Sequence, residues 1–250
     1  IGCYWADEVC RIFPKPEIQA MAKAFSFFET IHAAAYSYLN DVLGLNEYEE
    51  FINDPIACSK IDTFFSKYPD KVSLAVFSGA GEGVSLFSSF AVLLSFNKDG
   101  RYKGLAQIIS WSAIDEQTHS EAGCQLFRRL VDEVGISEDD KKAIYDGFQL
   151  VIDKEFAFID HIFNSANISS IDANELKAYI KNRANERLLL LGLDQMFKLS
   201  TQELTQAKSV SSWFEPMVKG ASSTDFFAAS KDGANYVAKV SQDFMTVDLS

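Results

Sequence analysis

The sequence predicts an all-α protein, built as a bundle of long helices. Several segments are rich in Ala, Leu, Met and Glu, which favour helices, and contain few breakers. These segments are apolar on more than one face, as expected for helices in the middle of a bundle. Two of the three histidines also close the same spacing, Glu29-x-x-His32 and Glu116-x-x-His119. A carboxylate and an imidazole three residues apart lie on one helix face, so both groups are predicted to point the same way.

The helix boundaries follow from the breakers between the apolar segments. The predicted linkers are Pro14–Pro16, Asn53–Pro55, Tyr68–Lys71, Asn97–Arg101 and Gly135–Ser137. The predicted helices are therefore 1–12, 16–44, 56–67, 72–97, 102–134, 138–166, 172–198 and a shorter one at 201–218. The acidic run after Ser137 favours a helix start there, because negative charge stabilises the first turn. We expect one domain, residues 1–219, with its first helix cut short at the N-terminus, and a flexible Ser/Ala/Asp-rich tail, residues 220–250.

The paired Glu and His residues suggest a metal site. Two Glu-x-x-His helices that face each other, with further single carboxylates, form the dinuclear iron or manganese centre of ferritin-like bundles. Glu82 is the only charged residue of the apolar segment 74–96, and a buried carboxylate is costly unless it is paired or binds metal. A single Glu-x-x-His pair could be a surface salt bridge, but the occurrence of two such pairs disfavours that alternative. The prediction is an all-α, ferritin-like helical bundle with a dinuclear metal site formed by Glu29, His32, Glu82, Glu116 and His119.

These motifs, taken in order, resemble the radical-generating small (beta) subunit of class I ribonucleotide reductase. Tyr36, seven residues after Glu29, matches the position of that family's radical tyrosine. Asp115 completes the Asp-Glu-x-x-His form found there. The segment that begins at Glu186 resembles the family's late helix. The resemblance covers nearly the whole chain, and the C-terminal part of it rests on Trp213, the stretch Thr224-Asp-Phe-Phe227 and Tyr236.

The resemblance implies a radical-forming metal centre. Iron is the expected metal, with di-manganese and mixed manganese/iron clusters left open, and the centre activates dioxygen to form a stable radical on Tyr36. Asp115 would orient a ligand imidazole by accepting its N–H, while Leu86 and Phe90 would line the tyrosine pocket. The family's first metal ligand is an Asp, expected two or three residues before Ile1, and its radical-transfer tryptophan is expected further upstream. Asp7 and Glu8 lie too far along the first helix to replace that Asp.

The resemblance also implies partners. A large (alpha) catalytic subunit would bind the C-terminal tail, with Tyr236 relaying the radical, and the small subunit would form a homodimer. The expected activity is that of ribonucleoside-diphosphate reductase, an oxidoreductase that supplies deoxyribonucleotides for DNA replication. An alternative is a ferritin-like dinuclear oxidase or oxygenase with its own substrate, which needs no docking tail. A helical scaffold or iron-storage protein is disfavoured, because Tyr36 would then have no purpose.

Composition and short motifs disfavour several other classes of function. A net charge of −12 without a basic patch disfavours nucleic-acid binding. The apolar segment 84–96 is too short to span a membrane and contains serines, so no membrane role is expected. No phosphate-binding glycine loop is visible, so nucleotide binding is assigned to the partner.

His161 lacks a Glu three residues earlier and is expected to be structural. Without CxxC spacing, reduced thiols in a cytoplasmic protein are expected at Cys3, Cys10, Cys58 and Cys124.

Overall fold

The computed structural model describes residues 1–45, 53–62 and 68–218, and within these ranges it contains helices and no strand. The predicted all-α class is therefore confirmed. Helix α1 joins the π-helical turns Tyr4–Val9 to the α-helical turn Cys10–Ile12. The other helices are α2 (Pro16–Leu43), α3 (Pro55–Asp62), α4 (Asp70–Asp99), α5 (Lys103–Val134), α6 (Glu138–Ser165), α7 (Ala173–Leu190) and α8 (Thr201–Val218).

Helix α4 lies at the centre of the bundle and contacts α5, α6 and α7. It is α-helical over Asp70–Ala75, π-helical over Val76–Ser85 and α-helical again over Phe87–Ser95, and every residue of the π-helical part is buried. Gly123 of α5 allows close approach to this part, because a Cβ atom there would lie 2.0 Å from Ser78 Oγ. The remaining helices complete the bundle, with α2 against α1 and α5, α3 against α6, and α8 against α7.

Local sequence signals explain several helix ends. Pro16 is the first residue of α2, where its fixed φ suits a helix start, and Gly44 ends that helix with a φ of 68°. Ser137 and Asp140 form a reciprocal capping box at the start of α6, as the acidic run predicted. Asp172 caps α7 by accepting the N–H groups of Asn174 and Glu175. These caps explain why most predicted boundaries agree with the structure to within two residues.

The predicted helix 172–198 is too long, since α7 ends at Leu190. Gly192 adopts a φ of 78°, and the N–H of Leu193 donates to the carbonyl of Leu188, so the chain turns out of the helix. The Asn185 side chain then accepts the N–H groups of Met196 and Phe197, which fixes the returning chain. Part of another prediction, residues 63–67 of the helix 56–67, lies outside the described residues, as does the predicted tail 220–250.

One described helix, α4, is long and apolar enough to cross a membrane by length and composition alone. Of its most apolar window, 83% is buried inside the bundle. The central helix of a bundle passes the same test, so this helix is weak evidence for a membrane span.

Candidate metal centre

The structure brings the five predicted ligand residues together from three helices. Helix α2 supplies Glu29 and His32, α4 supplies Glu82 from its π-helical part, and α5 supplies Glu116 and His119. One ligand atom from each of Glu29, Glu82, Glu116 and His119 lies within 4.8 Å of the others. His32 joins this group through Nδ1, which lies 3.1 Å from Glu116 Oε1. The site is buried, since Glu82, Glu116 and His119 are each at most 2% exposed.

Both imidazoles present Nδ1 to the carboxylates. His119 Nδ1 lies 3.2 Å from Glu29 Oε1 and 3.6 Å from Glu116 Oε2. On the outer side of the other ring, His32 Nε2 lies 3.0 Å from Asp115 Oδ2. When Asp115 accepts the Nε2 hydrogen, the lone pair of His32 is left on Nδ1 and points into the site. The sequence predicted this arrangement for Asp115 and a ligand imidazole.

Within the described residues, several buried polar atoms of the cluster form no hydrogen bond of good geometry, although the carboxylates and imidazoles lie 3.1–3.8 Å from one another. These polar atoms comprise both ring nitrogens of His119, Nδ1 of His32, Oε1 of Glu29, and Oε2 of Glu82 and of Glu116. Buried polar atoms are nearly always satisfied in folded proteins, so a donor set of this kind suits cation binding. Carboxylate oxygens and imidazole nitrogens suit iron and manganese. The residues therefore fit a dinuclear iron or manganese centre.

The charges of the cluster perturb one another strongly. Burial raises the pKa of Glu29, but the adjacent imidazoles of His119 and His32 outweigh burial and lower it to about 2. Burial lowers the pKa of His32, yet the adjacent carboxylates of Glu116, Glu29 and Asp115 raise it to about 10. Burial, followed by the charge of Glu116, raises the pKa of Glu82 well above its ordinary value. His32 and Glu82 therefore hold their protons to a higher pH than usual, and metal binding would displace those protons.

A tryptophan side chain also contacts the predicted ligand residues. Trp5 of α1 is fully buried and donates from Nε1 to Glu82 Oε1 at 2.6 Å. Its ring packs edge-on against Phe25, and the Phe25 ring lies 4.2 Å from that of His119 between centroids. Sequence reasoning missed this residue. The only available signal was that a buried tryptophan needs an acceptor for its N–H, and that rule does not say which acceptor.

Tyr36 lies beside the cluster in a cavity of about 360 Å³. Burial raises the pKa of Tyr36 to about 12, so its phenol is neutral at physiological pH. The apolar side chains around Tyr36 include Leu86 and Phe90, which the sequence placed in this pocket. The cavity is also lined by Ile1, Glu29, His32, Ala33, Ser89, Leu93, Ile109 and Glu116. The tyrosine and three of the predicted ligand residues therefore line one cavity.

Other residues singled out from the sequence lie elsewhere. Asp7 and Glu8 are exposed, so neither joins the cluster. His161 lies 2.8 Å from Asp54, whose carboxylate caps the start of α3, which agrees with a structural role. Trp213 lies on α8, under the Lys98 ammonium. None of the four cysteines forms a disulfide. Thr224–Phe227 and Tyr236 lie outside the described residues.

The sequence family described as "Ribonucleotide reductase, small chain" matches residues 3–203. The chain belongs to this family. Among its relatives are probable ribonucleoside-diphosphate reductase small subunits of two viruses. That of Invertebrate iridescent virus 3 is 29% identical over 87% of this chain and 63% of its own length. That of Invertebrate iridescent virus 6 is 30% identical over 91% of this chain and 74% of its own length.

More distant relatives include a subunit beta of ribonucleoside-diphosphate reductase 1 from Escherichia coli O157:H7, 21% identical over 73% of this chain. The chain spans 63% of the length of the first viral relative and 60% of that of the Escherichia coli protein. Reductase small chains are thus similar to most of this chain, while part of each relative has no counterpart in it.

Two solved structures share the fold. A putative class I ribonucleotide reductase from Bacillus halodurans superimposes with a TM-score of 0.68 at 19% identity, covering 78% of this chain and 76% of its own. The dimanganese(II) NrdF protein of Streptococcus sanguinis superimposes with a TM-score of 0.70 at 18% identity, covering 87% and 76%. The predicted ferritin-like bundle is therefore confirmed.

Proposed function

We propose that the chain acts as the small (beta) subunit of a ribonucleoside-diphosphate reductase. Its dinuclear metal centre would form a stable tyrosyl radical, which a large (alpha) subunit uses to reduce ribonucleotides. The convergence of five metal-binding side chains beside Tyr36, with buried atoms that lack partners, carries this proposal. The names of the viral and bacterial relatives support the same activity. A cytoplasmic location would agree with it.

Glu29, His32, Glu82, Glu116 and His119 would hold the two metal ions. Iron is our first proposal, and the dimanganese relative from Streptococcus sanguinis makes manganese or a mixed centre a reasonable second. When bound, the metals supply the electrons that activate dioxygen and the oxidising power that converts the phenol to a radical.

The protein's own groups have separate tasks in this proposal. Asp115 holds His32 in the orientation that directs Nδ1 inward. Trp5 holds Oε1 of Glu82, the oxygen that also lies 3.8 Å from His119 Nδ1. Leu86, Phe90 and Ile109 surround Tyr36 with apolar surface, which keeps water away from an oxidised phenol. Together these contacts orient the ligands and protect the tyrosine.

A homodimer is part of the proposal, and the outer face of α2 supports it. Phe27, Ile31, Tyr38 and Val42 are all exposed, the first by 61% and Tyr38 by 66%. Their spacing places them within one narrow stripe of the helix, because each residue advances about 100°. A long exposed apolar stripe is typical of an interface. We call these four residues the α2 stripe.

The tail distinguishes this function from the alternative oxidase. The cavity beside Tyr36 is the observation that favours an oxidase with a small substrate of its own. In the reductase, truncation after Gly220 should leave helix content, metal content and the radical unchanged, because no ligand lies in the tail. Truncation should abolish binding to the large subunit and hence nucleotide reduction. Tyr236→Phe should keep binding and lose turnover. If truncation leaves binding to the large subunit unchanged, or if Tyr236→Phe reduces nucleotides at the wild-type rate, the assigned role of the tail is wrong.

A further inference from the structure

A buried arginine contacts α4 and α5, the helices that carry Glu82 and Glu116. Arg183 of α7 is 5% exposed, although α7 supplies no ligand residue. Its Nε donates to the carbonyl oxygen of Gly83 at 2.5 Å, and its Nη2 donates to Gln117 Oε1 at 2.6 Å. The guanidinium also lies over the Phe87 ring, 3.3 Å from its centroid. Among the described residues no carboxylate forms an ion pair with Arg183. Its hydrogen bonds with Gly83 and Gln117 are to neutral groups, and the charge of Glu186 acts on it from beyond ion-pair distance.

The two hydrogen-bond acceptors occupy equivalent places. Gly83 directly follows Glu82 on α4, and Gln117 directly follows Glu116 on α5. The rigid, planar guanidinium thus connects the backbone of Gly83, next to Glu82, to the side chain of Gln117, next to Glu116. The guanidinium presents its N–H donors in a fixed fork, so it constrains both distance and direction. A lysine ammonium on a flexible stem does not impose that geometry.

The π-helical backbone around Glu82 explains why a connection from Arg183 to α4 and α5 would be needed. Glu82 and Gly83 lie in the π-helical part of α4, where the regular α-helical hydrogen-bond ladder is interrupted. Side chains that insert into an interrupted ladder can fix its geometry. Gly83 permits the close approach of α5 and α7 at this point, since a Cβ atom there would lie 2.6 Å from Ser120 Oγ and 2.7 Å from Arg187 Cδ. Burial lowers the pKa of Arg183 to about 10, which leaves it charged at neutral pH.

We propose that Arg183 is a positioning residue, which holds the π-helical part of α4 against α5 and thereby fixes Glu82 relative to Glu116. The proposal rests on the metal centre described under the proposed function. Burying a cation among neutral groups is costly, so Arg183 is a poor choice for packing alone. Its contacts are explained if they set the separation of the two ligand carboxylates, and so the separation of two bound metals.

The test compares Arg183→Met, Arg183→Lys and Gln117→Leu with the wild-type full chain. Lys181→Met is the matched control, because Lys181 lies on the same helix but bonds to Glu203 on the far side from the site. Hydrogen exchange of the metal-free protein over residues 76–88 reports the π-helical part without metal. Mn(II) titration gives the affinity for each metal, and the exchange-coupled electron paramagnetic resonance spectrum reports the metal–metal separation.

We expect faster exchange over 76–88 in Arg183→Met, about a 10- to 100-fold loss of affinity for at least one Mn(II), and an altered coupled spectrum. Arg183→Lys should not restore the spectrum, Gln117→Leu should shift it in the same direction, and Lys181→Met should match wild type. If Arg183→Met does not fold, the comparison of Arg183→Lys and Gln117→Leu with the control decides. Wild-type affinities, spectrum and exchange in these variants would overturn the positioning role. Failure of the wild-type chain to bind two metals would instead overturn the proposed function.

Discussion

The indole N–H of Trp5 donates to Oε1 of Glu82 at 2.6 Å, which links the first described helix to the only charged residue in the middle of α4. The two residues are separated by 77 positions in sequence. This bond fixes one oxygen of a carboxylate whose other oxygen has no partner. Glu82 thereby meets the predicted ligand cluster through Oε1, which also lies 3.8 Å from His119 Nδ1, from a helix that otherwise serves as the apolar core.

We therefore predict that Trp5→Phe weakens metal binding while the bundle remains folded. Phenylalanine keeps the edge-on packing against Phe25 but lacks the N–H donor, so Oε1 of Glu82 loses its partner. The loss of a donor to a buried acceptor should lower the free energy of unfolding by about 1–3 kcal/mol. Metal affinity should fall about 10-fold. Urea unfolding and Mn(II) titration measure the two effects, with Trp213→Phe on α8 as control. Unchanged metal affinity would contradict the orienting role of the indole.

The ligand set leads to a second prediction. Glu82→Ala and His119→Ala should each lose at least one metal per chain, because each removes a group that converges on the site. His161→Ala is the control, since the third histidine lies against Asp54 and outside the cluster. The test is the metal content of each variant and of the wild-type protein after dialysis against Fe(II) or Mn(II) without oxygen. Full metal content in both variants would show that the ligand assignment is wrong.

The position of Tyr36 leads to a third prediction. Aerobic addition of Fe(II) and a reductant to the full chain should produce a tyrosyl radical signal in the electron paramagnetic resonance spectrum. Tyr36→Phe should lose that signal and keep both metals, because a phenyl ring fills the same cavity but has no oxidisable hydroxyl. Tyr102→Phe, at a position that is 55% exposed, should keep the signal. Persistence of the signal in Tyr36→Phe would assign the radical to another residue.

The α2 stripe leads to a fourth prediction. Ile31→Glu and Tyr38→Glu each place a charge in the middle of the proposed homodimer interface, where burial of an unpaired charge is costly. Both variants should sediment as monomers at micromolar concentrations at which the wild-type protein is dimeric. Leu204→Glu changes an exposed apolar residue of α8 and should leave the dimer intact. A monomeric wild-type protein, or dimeric stripe variants, would reject this interface.

Glu203 at the start of α8 leads to a fifth prediction, on acid stability. The hydrogen bond from Lys181, followed by those from Ser200, lowers the pKa of Glu203 from 4.5 to about 2. The stabilisation is therefore complete above pH 4.5 and is lost as the pH falls towards 2. Glu203→Gln should be less stable than wild type at neutral pH, and this difference should shrink across that range. Urea unfolding at a series of pH values measures it. Glu17→Gln, at the start of α2, controls for charge loss, and a difference independent of pH would refute the linkage.

The sequence predicts those features that depend on residues close together in the chain. The Glu-x-x-His spacings place Glu29 with His32 and Glu116 with His119 because helical periodicity is local. Pro16, Gly44 and Ser137 mark helix ends for the same reason. Glu82 could be assigned to the site because a single charge in an apolar helix needs a partner. The central site could therefore be anticipated before any tertiary contact was known.

The remaining features depend on contacts between distant parts of the chain. The bond between Trp5 and Glu82, and the position of Arg183 between Gly83 and Gln117, have no signature in residue spacing. The end of α7 was missed because apolar residues continue on both sides of Gly192, and the fold there is fixed by the Asn185 side chain. The π-helical part of α4 was likewise not predicted, since its glycines indicate only that distortion is tolerated.

The proposed metal centre would also couple the stability of the bundle to the supply of metal. A cation that binds the folded bundle and not the unfolded chain adds about 2.7 kcal/mol to stability at a concentration 100 times its dissociation constant. The thermal midpoint of this protein should therefore rise with the free concentration of its own metal and respond less to others. In a cell, the abundance of the folded protein would then follow the availability of that metal, before any reaction with dioxygen takes place.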